Sequence, residues 1–420
     1  MDRMKISVNW LKKHSLVLFW ICLVASTYIG YSEELIIGCA LLFLLMRKRV
    51  TVGFIKRKSM LVIFFSYCFF TTLLGVMFGF TEVIAIAKFF VEYVLLVFCV
   101  SSALFYDKTS GIISLIDIRN LICVSAIYGT VETIMGYNPL ANYVTTVNWL
   151  DGMNNLIYRY QCSSIYLHYT YYAFFLLTGL VILFKFPFEK KLINISAYIL
   201  LLEQLFFTKS RMGWITFVIM LVWSLIKSVS RTHGIKKNFV LVCAIFICIV
   251  LVAVIINPEI LKTFNSSIMN RFSSFKIYGM LDGSLGQRWG TLLNYPKYVN
   301  KYPLQALVGT GNESINNVFL GEFSYFKGYS TVDNQYLTIL VETGIVGFVL
   351  FCCMIFSYIP KLKHRNDKIS LVCKLLFLLF AIQGATYGLT SYFQFAVIAF
   401  VFCLYGRNSH DQKNKTIEEC

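Results

Sequence analysis

Long apolar runs, separated by short basic or polar segments, make up most of this chain. A helix needs about 20 apolar residues to cross the hydrocarbon core of a bilayer. By that criterion the pattern predicts an all-α polytopic membrane protein with about 12 transmembrane helices. The predicted spans are 15–31, 34–46, 60–80, 83–105, 114–136, 166–184, 192–208, 212–226, 239–256, 335–359, 369–387 and 390–405.

Two of the segments between these spans are long, 137–165 and 257–334. A loop as long as the second is seldom structureless unless it has a function. Its apolar stretches at 289–293 and 304–308 predict short helices on the membrane surface. The predicted organisation is therefore N-terminal helices (1–136), a first long external loop (137–165), central helices (166–256), a large external loop (257–334), C-terminal helices (335–405) and a cytosolic tail (406–420).

The charge of the chain is strongly positive, at +17 from 38 basic and 21 acidic residues. With the N-terminus placed inside, 25 of the 38 basic residues fall in the inner segments, many of them in clusters at 47–49, 56–58 and 361–368. Basic inner loops are the rule for membrane proteins, so both termini are predicted to be cytosolic. This distribution explains most of the charge without a nucleic-acid partner.

The composition excludes a typical soluble domain, because 58% of the residues are hydrophobic and only 14% are charged. The 13 cysteines contain no C-x-x-C pair and no cysteine–histidine spacing of a zinc site. We interpret them as small apolar residues of the helix packing, and we expect no metal site.

Four arginines fall on the predicted external side, where the topology rule does not call for positive charge. Arginine presents a planar fork that binds phosphate oxygens bidentately, so these arginines are candidates for binding a lipid-linked phosphate. For any single arginine, the plainer alternative is a solvated charge in a loop. The short turn before Arg211 places that residue near the lipid phosphates. The external arginines are Arg159, Arg211, Arg271 and Arg288.

A second group of candidates surrounds the start of the tenth predicted span. Gly309 and Gly311 form a Gly-x-Gly turn, and Asp333 with Asn334 forms a candidate helix cap. Glu342 lies in the first turns of the span, and a carboxylate inside a membrane helix is a functional candidate by default.

Taken in order, these residues resemble a known family. The series runs through Ser210-Arg211-x-Gly213, Arg271-Phe-Ser-Ser, Arg288-Trp289, Tyr302-Pro-Leu with Gly309-x-Gly311, Asp333-Asn334-x-Tyr-Leu and Glu342-x-Gly344-x-x-Gly347. It is similar to the C-terminal domain shared by O-antigen ligases and Wzy-type O-antigen or capsule polymerases, over roughly 205–355. The segment from Arg159 to Phe175, with His168, resembles a looser motif of the same family.

The resemblance implies a glycosyltransferase of the bacterial cytoplasmic membrane that polymerises oligosaccharide repeat units linked to undecaprenyl pyrophosphate. Under it, Arg211 and Arg288 bind the pyrophosphate and Arg271 or Arg159 assists. Asp333, Glu342 and His168 are the candidates for the general base. Because no external D-x-D motif is present, the expected transfer uses neither a metal nor a cofactor. Besides membrane lipids, a chain-length regulator protein is a partner usual for the family.

Three other functions stay open. An O-antigen ligase performs the same chemistry on a different acceptor, but ligases of the family usually carry His-Asn where this chain has Asp333-Asn334. A transporter or oligosaccharide-lipid flippase would place ionisable residues deep in several spans, whereas Lys88 and Glu92 are spaced to pair with each other. A membrane scaffold would leave the external arginines unexplained.

Overall fold

A computed structural model describes residues 10, 14–29, 59–95, 99–100, 110–140, 161–229, 276–277, 280–281, 286–325, 332–363, 368–385, 388 and 397–399. Two predicted spans, 34–46 and 239–256, lie outside the described residues, as does most of 390–405. The chain forms two compact units. The first comprises Met1–Leu115 with Gly283–Cys420, and the second comprises Ile116–Asp282.

Helices make up nearly all of the described structure. In chain order they are α1 (Ser15–Ile29), α2 (Ser59–Met77), α3 (Ile84–Phe89, continued by a π-helical turn Phe90–Leu95), α4 (Ser110–Met135), α5 (Tyr169–Lys185), α6 (Lys191–Phe207), α7 (Arg211–Val229), α8 (Thr291–Leu293), α9 (Tyr295–Lys301), α10 (Pro303–Val308), α11 (Gly321–Phe323), α12 (Gln335–Lys363) and α13 (Lys368–Gly384). Shorter turns are the 3-10 helix Ser164–Tyr166 and the π-helices Gly286–Gly290 and Asn316–Leu320. The strands β1 (Lys276–Ile277) and β2 (Met280–Leu281) pair antiparallel and are a small departure from the all-α prediction.

Several of these helices have the length and composition of membrane spans. Among the described residues, three stretches are long and apolar enough to cross a bilayer: Met60–Met77, Gly111–Met135 and Gln335–Ser357. Shorter apolar helices lie at Ser15–Ala25, Tyr169–Lys185, Arg211–Trp223 and Leu371–Gly384. The chain is therefore a helical membrane protein, and its full number of spans stays a prediction.

In the first unit, α2 packs along α12, and α12 is interrupted at Gly344. Gly344 has φ 66° and ψ −178°, a conformation open essentially to glycine alone. The interruption leaves carbonyl groups at the end of the first half-helix without their usual intrahelical donors. These carbonyls are the anchor for a loop of the candidate site.

The segment from Gly286 to Tyr325 folds into a small helical module, which belongs to the predicted large loop. Its core is aromatic: Tyr298 and Phe319 are fully buried, and their rings lie 5.4 Å apart with Phe323 also in contact. Burial raises the pKa of the Tyr295 phenol to about 12 and also raises the pKa of Tyr298. The described part of the loop, 286–325, is thus a packed element that can position side chains.

Candidate functional site

Arg288 and Asp333 form an ion pair at the head of α12. Nη2 of Arg288 lies 3.2 Å from Oδ2 of Asp333, and the two side chains are 11% and 26% exposed. Arg288 comes from the π-helical turn of the module, whereas Asp333 lies two residues before the first residue of α12. The structure thus joins two residues that the sequence separates by 45 positions. An arginine held by a carboxylate keeps further N–H donors for other acceptors.

Asn334 connects this pair to the helix. Its Oδ1 accepts hydrogen bonds from the backbone N–H groups of Tyr336 and Leu337, at 3.1 and 3.2 Å, so Asn334 is the N-cap of α12. Its Nδ2 donates to the carbonyl oxygen of Arg288 at 3.3 Å. A single buried side chain therefore fixes both the start of the helix and the backbone that carries Arg288.

The turn that carries Arg288 is held by close packing. The ring of Tyr325 lies against Gly290, where an added Cβ would be 2.5 Å from ring atoms. The buried hydroxyl of Thr291 donates to the carbonyl of Gly286 and accepts the N–H of Tyr325. The direction of the Arg288 side chain is therefore set by a turn with little room to shift.

Gly309, Gly311 and Glu342 meet in a second cluster, about two turns further along α12. The N–H groups of Thr310 and Gly311 donate to the carbonyl of Glu342 at 3.1 and 2.9 Å. Both glycines have positive φ, 104° and 94°. A Cβ on Gly309 would lie 2.5 Å from the Glu342 carbonyl oxygen. The Gly-x-Gly turn thus satisfies the acceptors that the break in α12 exposes, and the Glu342 side chain is buried there.

Lys88 and Glu313 form an ion pair that the sequence did not suggest. Nζ of Lys88 lies 2.9 Å from both carboxylate oxygens of Glu313. Glu313 has φ 61°, which an unbranched residue adopts only where its surroundings hold it. The expected partner, Glu92, has a side chain outside the described residues. No spacing rule could have revealed a pair 225 positions apart.

In the second unit, Ser210 and Arg211 begin α7. Oγ of Ser210 accepts the N–H of Gly213 at 3.1 Å, so Ser210 caps the helix and Arg211 is its first residue. A Cβ on Gly213 would lie 3.0 Å from that of Ala173, so the glycine permits close packing on α5. The Ser-Arg-x-Gly series therefore has a local structural role as well as a charge at a helix N-terminus.

His168 is the N-cap of α5. Its Nδ1 accepts the N–H of Thr170 at 3.3 Å and also contacts the Thr170 hydroxyl. A neutral histidine whose Nδ1 accepts carries its proton on Nε2, and Nε2 is then a donor. This arrangement favours hydrogen-bond donation by His168 over proton abstraction.

Glu132, which was not among the predicted site residues, fixes the turn before His168. This fully buried carboxylate accepts the N–H groups of Ser163 and Ser164 at 3.0 and 2.6 Å. Ser164 and Leu167 both have positive φ, 52° and 58°. A carboxylate within a largely apolar helix was the signal in the sequence that could have identified it.

The predicted site residues thus fall into local groups. The structure joins Arg288 with Asp333 and Asn334, joins Gly309 and Gly311 with Glu342, and places Ser210 beside Arg211. Arg159 and Arg271 lie outside the described residues. In the part of the chain that is described, no group of three histidine, cysteine, aspartate or glutamate residues could hold a metal ion. Whether the transfer is metal-independent stays a prediction.

Part of the chain matches a known protein family. Residues 196–352 match the family model described as O-antigen ligase. No curated protein matches the chain at a significant level. The matched range contains Ser210, Arg211, both glycines of the Gly-x-Gly turn and the whole Arg288, Asp333 and Asn334 group. The resemblance drawn from the sequence is therefore confirmed over this range: residues 196–352 match the O-antigen ligase family, which covers O-antigen ligases and Wzy-like polymerases.

Proposed function

We propose that this protein polymerises oligosaccharide repeat units linked to undecaprenyl pyrophosphate, at the outer face of a bacterial cytoplasmic membrane. The observation that supports this most directly is the Arg288–Asp333 pair at the head of α12. Gln335–Ser357 is apolar and long enough to cross a bilayer, so its first residues belong at the level of the lipid headgroups. A pyrophosphate attached to a membrane lipid lies at the same level.

Arginine is suited to that group because its fork can donate two parallel hydrogen bonds to phosphate oxygens. In the proposal Arg288 binds the pyrophosphate while Asp333 holds one side of its guanidinium. Arg211 adds a second positive charge at the N-terminus of α7, where the helix dipole also favours an anion. Arg271, which precedes Arg288 in the chain, and Arg159, which precedes Arg211, assist in binding the pyrophosphate.

The proposed reaction is a single displacement. A hydroxyl of the acceptor sugar attacks the anomeric carbon of the donor, a C–O bond forms, and the bond from that carbon to the pyrophosphate oxygen breaks. The pyrophosphate leaves with the electron pair, and the hydroxyl proton passes to a carboxylate. Such a step inverts the anomeric centre. Neutralising the charge on the leaving group is the larger task, because pyrophosphate is already a good leaving group.

Asp333 is the best placed of the three candidate bases. Its side chain is partly exposed, so that the hydroxyl of an acceptor sugar can reach it. Glu342 is buried about two turns further along the helix, and the Nδ1 of His168 already accepts a hydrogen bond. We assign His168 the role of a donor to sugar or phosphate oxygens, and Glu342 a role within the helix packing.

Ligation is the second candidate, because the matched family model is described as O-antigen ligase. A ligase would move the finished chain to a different acceptor using the same pyrophosphate chemistry. Where ligases of the family usually carry histidine, Asp333 here forms an ion pair with Arg288. A neutral histidine would not make that pair, so the substitution changes the electrostatics of the site.

The test is the length of surface polysaccharide in the native host. We expect Arg288→Ala to abolish long chains while single repeat units still reach their acceptor. Lys297→Ala, which removes an exposed positive charge of the same module, is the matched control. Immunoblots of the membrane fraction establish that each variant is present in equal amount.

The pattern on the gel separates the candidates. Single units without long chains support polymerisation. Loss of the single units as well supports ligation or transport. Normal chains from Arg288→Ala would show that the arginine–pyrophosphate mechanism is wrong. The same proposal includes cytosolic termini, which topology reporters fused to each end would test. It also includes a chain-length regulator protein as a partner, which co-purification would test.

A further inference from the structure

The segment 303–312 does not lie outside the span of α12 but runs beside it. Its α10 part packs along α12, and the N–H groups of Thr310 and Gly311 bond to the carbonyl of Glu342. Gln335–Ser357 has 23 residues. At about 1.5 Å per residue its two half-helices add up to at most about 34 Å, close to the bilayer's hydrocarbon thickness of about 30 Å. With the whole stretch taken as the span, its first residue lies near the hydrocarbon boundary and Glu342, at the end of the first half-helix, lies up to about 10 Å inside it.

The neighbouring helix α2 supplies an independent measure of depth. α2 and α12 run antiparallel, because the loop 309–312 bridges Thr72 and Glu342 while Tyr67 lies beside Gly347. The end of α2 at Met77 and the start of α12 are thus on the same side. The N–H of Asn312 bonds to Oγ1 of Thr72 at 3.1 Å. Thr72 lies about 8 Å from the end of α2, so both helices place the loop below the boundary.

The backbone of this segment has hydrogen-bond partners within the protein. The N–H of Gly309 donates to Gln305 at 2.7 Å, and Tyr67 donates its hydroxyl to the carbonyl of Val308 at 2.8 Å. The hydroxyl of Thr81 donates to the carbonyl of Asn312 at 2.8 Å. Irregular backbone is tolerated at bilayer depth only where its polar groups are satisfied in this way.

The outer face of α10 is apolar. Leu304 and Leu307 are 66% and 47% exposed, and their spacing of three places them on one side of the helix. Ala306 points to the core of the module. By contrast, the π-helix Asn316–Leu320 and α11 expose polar residues, namely Asn316, Asn317 and Glu322.

We propose that 303–312 is a re-entrant element: α10 enters the leaflet that holds the head of α12, Leu304 and Leu307 contact lipid acyl chains, and Gly309–Asn312 returns to the surface. The occupant of this apolar face is the hydrocarbon of the bilayer. The assignment of that leaflet as the outer one rests on the proposed topology, whereas the depth of the loop does not.

The experiment compares single cysteine variants in native membranes. Leu304→Cys and Leu307→Cys report on α10, and Asn317→Cys is the matched control on the polar side. Each is treated with a membrane-impermeant maleimide, with the unsubstituted chain giving the background from its own cysteines. We expect labelling of the two α10 variants to be slower than that of Asn317→Cys by on the order of tenfold or more, because an apolar environment disfavours the thiolate.

A nitroxide on the same cysteines gives a second measurement that does not depend on thiol chemistry. At 304 and 307 we expect relaxation by oxygen to exceed relaxation by a polar nickel complex, with the reverse at 317. Equal labelling at all three positions, or nickel access at 304 and 307, would overturn the re-entrant element.

The same samples separate this inference from the proposed function. Labelling of Asn317→Cys only after permeabilisation would show that the module faces the cytosol and would contradict outer-face polymerisation. The contrast between positions 304 and 317 would still decide whether the element enters the bilayer.

Discussion

Gly309 and Gly344 approach so closely that a Cβ on Gly344 would lie 2.6 Å from the amide nitrogen of Gly309. Both have positive φ, so a side chain at either position is excluded by conformation and by space. This contact joins the loop to the break in α12.

We therefore expect Gly344→Ala to destabilise the protein by at least about 1–3 kcal/mol, the cost typical of a residue forced into a sparsely populated conformation. Gly321→Ala is the control, because a Cβ there meets nothing within 4 Å. Thermal unfolding of the purified protein in detergent measures both. Equal melting temperatures for the two variants would show that the contact is not tight.

Asp333→Asn keeps the size of the side chain and an oxygen that can face Arg288, but it cannot accept a proton. If Asp333 is the general base, we expect transfer to fall by about 10²–10⁴-fold. Glu322→Gln, which alters the exposed Lys301 pair, should leave the rate unchanged. Transfer is measured with lipid-linked repeat units in reconstituted vesicles, and a rate for Asp333→Asn near that of wild type would exclude the assigned role.

Asn334 has two functions that separate by substitution. Asn334→Ala removes the helix cap and the bond to the Arg288 carbonyl, and should cost at least about 1 kcal/mol of stability. Asn334→Asp keeps an acceptor for the cap but loses the donor. We expect Asn334→Asp to unfold close to wild type yet to bind the lipid-linked donor more weakly, as a raised KM. If both variants lost the same stability, the hydrogen bonds accepted by the side chain at position 334 would not contribute to the stability of α12.

The Lys88–Glu313 pair is about a third exposed, so its stabilisation is discounted for solvent screening. In a double-mutant cycle of Lys88→Met and Glu313→Gln we expect a coupling free energy below about 1 kcal/mol that declines further with salt. A coupling of several kcal/mol would mean that the pair is shielded by the surrounding protein.

Glu132→Gln tests the turn before His168. The amide oxygen can accept one backbone N–H, but the NH₂ group faces the other donor, so we expect a loss of about 1–3 kcal/mol. Glu203→Gln, in α6 of the same unit, is the control because that carboxylate is partly exposed, whereas Glu132 is fully buried. The free energy of unfolding in denaturant gives the comparison.

The positions of the helices could be predicted because apolar runs of spanning length have one stable backbone conformation in lipid. Predicted spans at 60–80, 114–136 and 335–359 correspond to α2, α4 and α12, with ends that differ by a few residues. The break at Gly344 was not predicted, since a glycine in an apolar run is equally compatible with close helix packing.

The candidate site was only partly predictable. Arg288, Asp333 and Asn334 were identified through order and resemblance, but their mutual contacts depend on how the module 286–325 folds back on α12. Glu313 and Glu132 were missed because their roles come from tertiary contacts, the first with Lys88 and the second with the backbone of a turn. A contact such as that between Lys88 and Glu313 leaves no periodic trace in the sequence, whereas the sequence marks Glu132 only as a carboxylate within an apolar helix.

The hydrogen bond between Thr72 and Asn312 joins residues 240 positions apart. At about 5–20 residues per second, a ribosome needs roughly 12–48 s to add that length. During this interval α2 resides in the membrane before its partner loop has been made. The hydroxyls of Thr71 and Thr72 are hydrogen-bonded during this interval, because each donates to the carbonyl of Cys68 within the same helix. Neither hydroxyl is therefore left without a partner in the bilayer. The loop can therefore pack on α2 only after α2 has been in the membrane for this interval, and truncation before residue 312 would leave α2 inserted but without this partner.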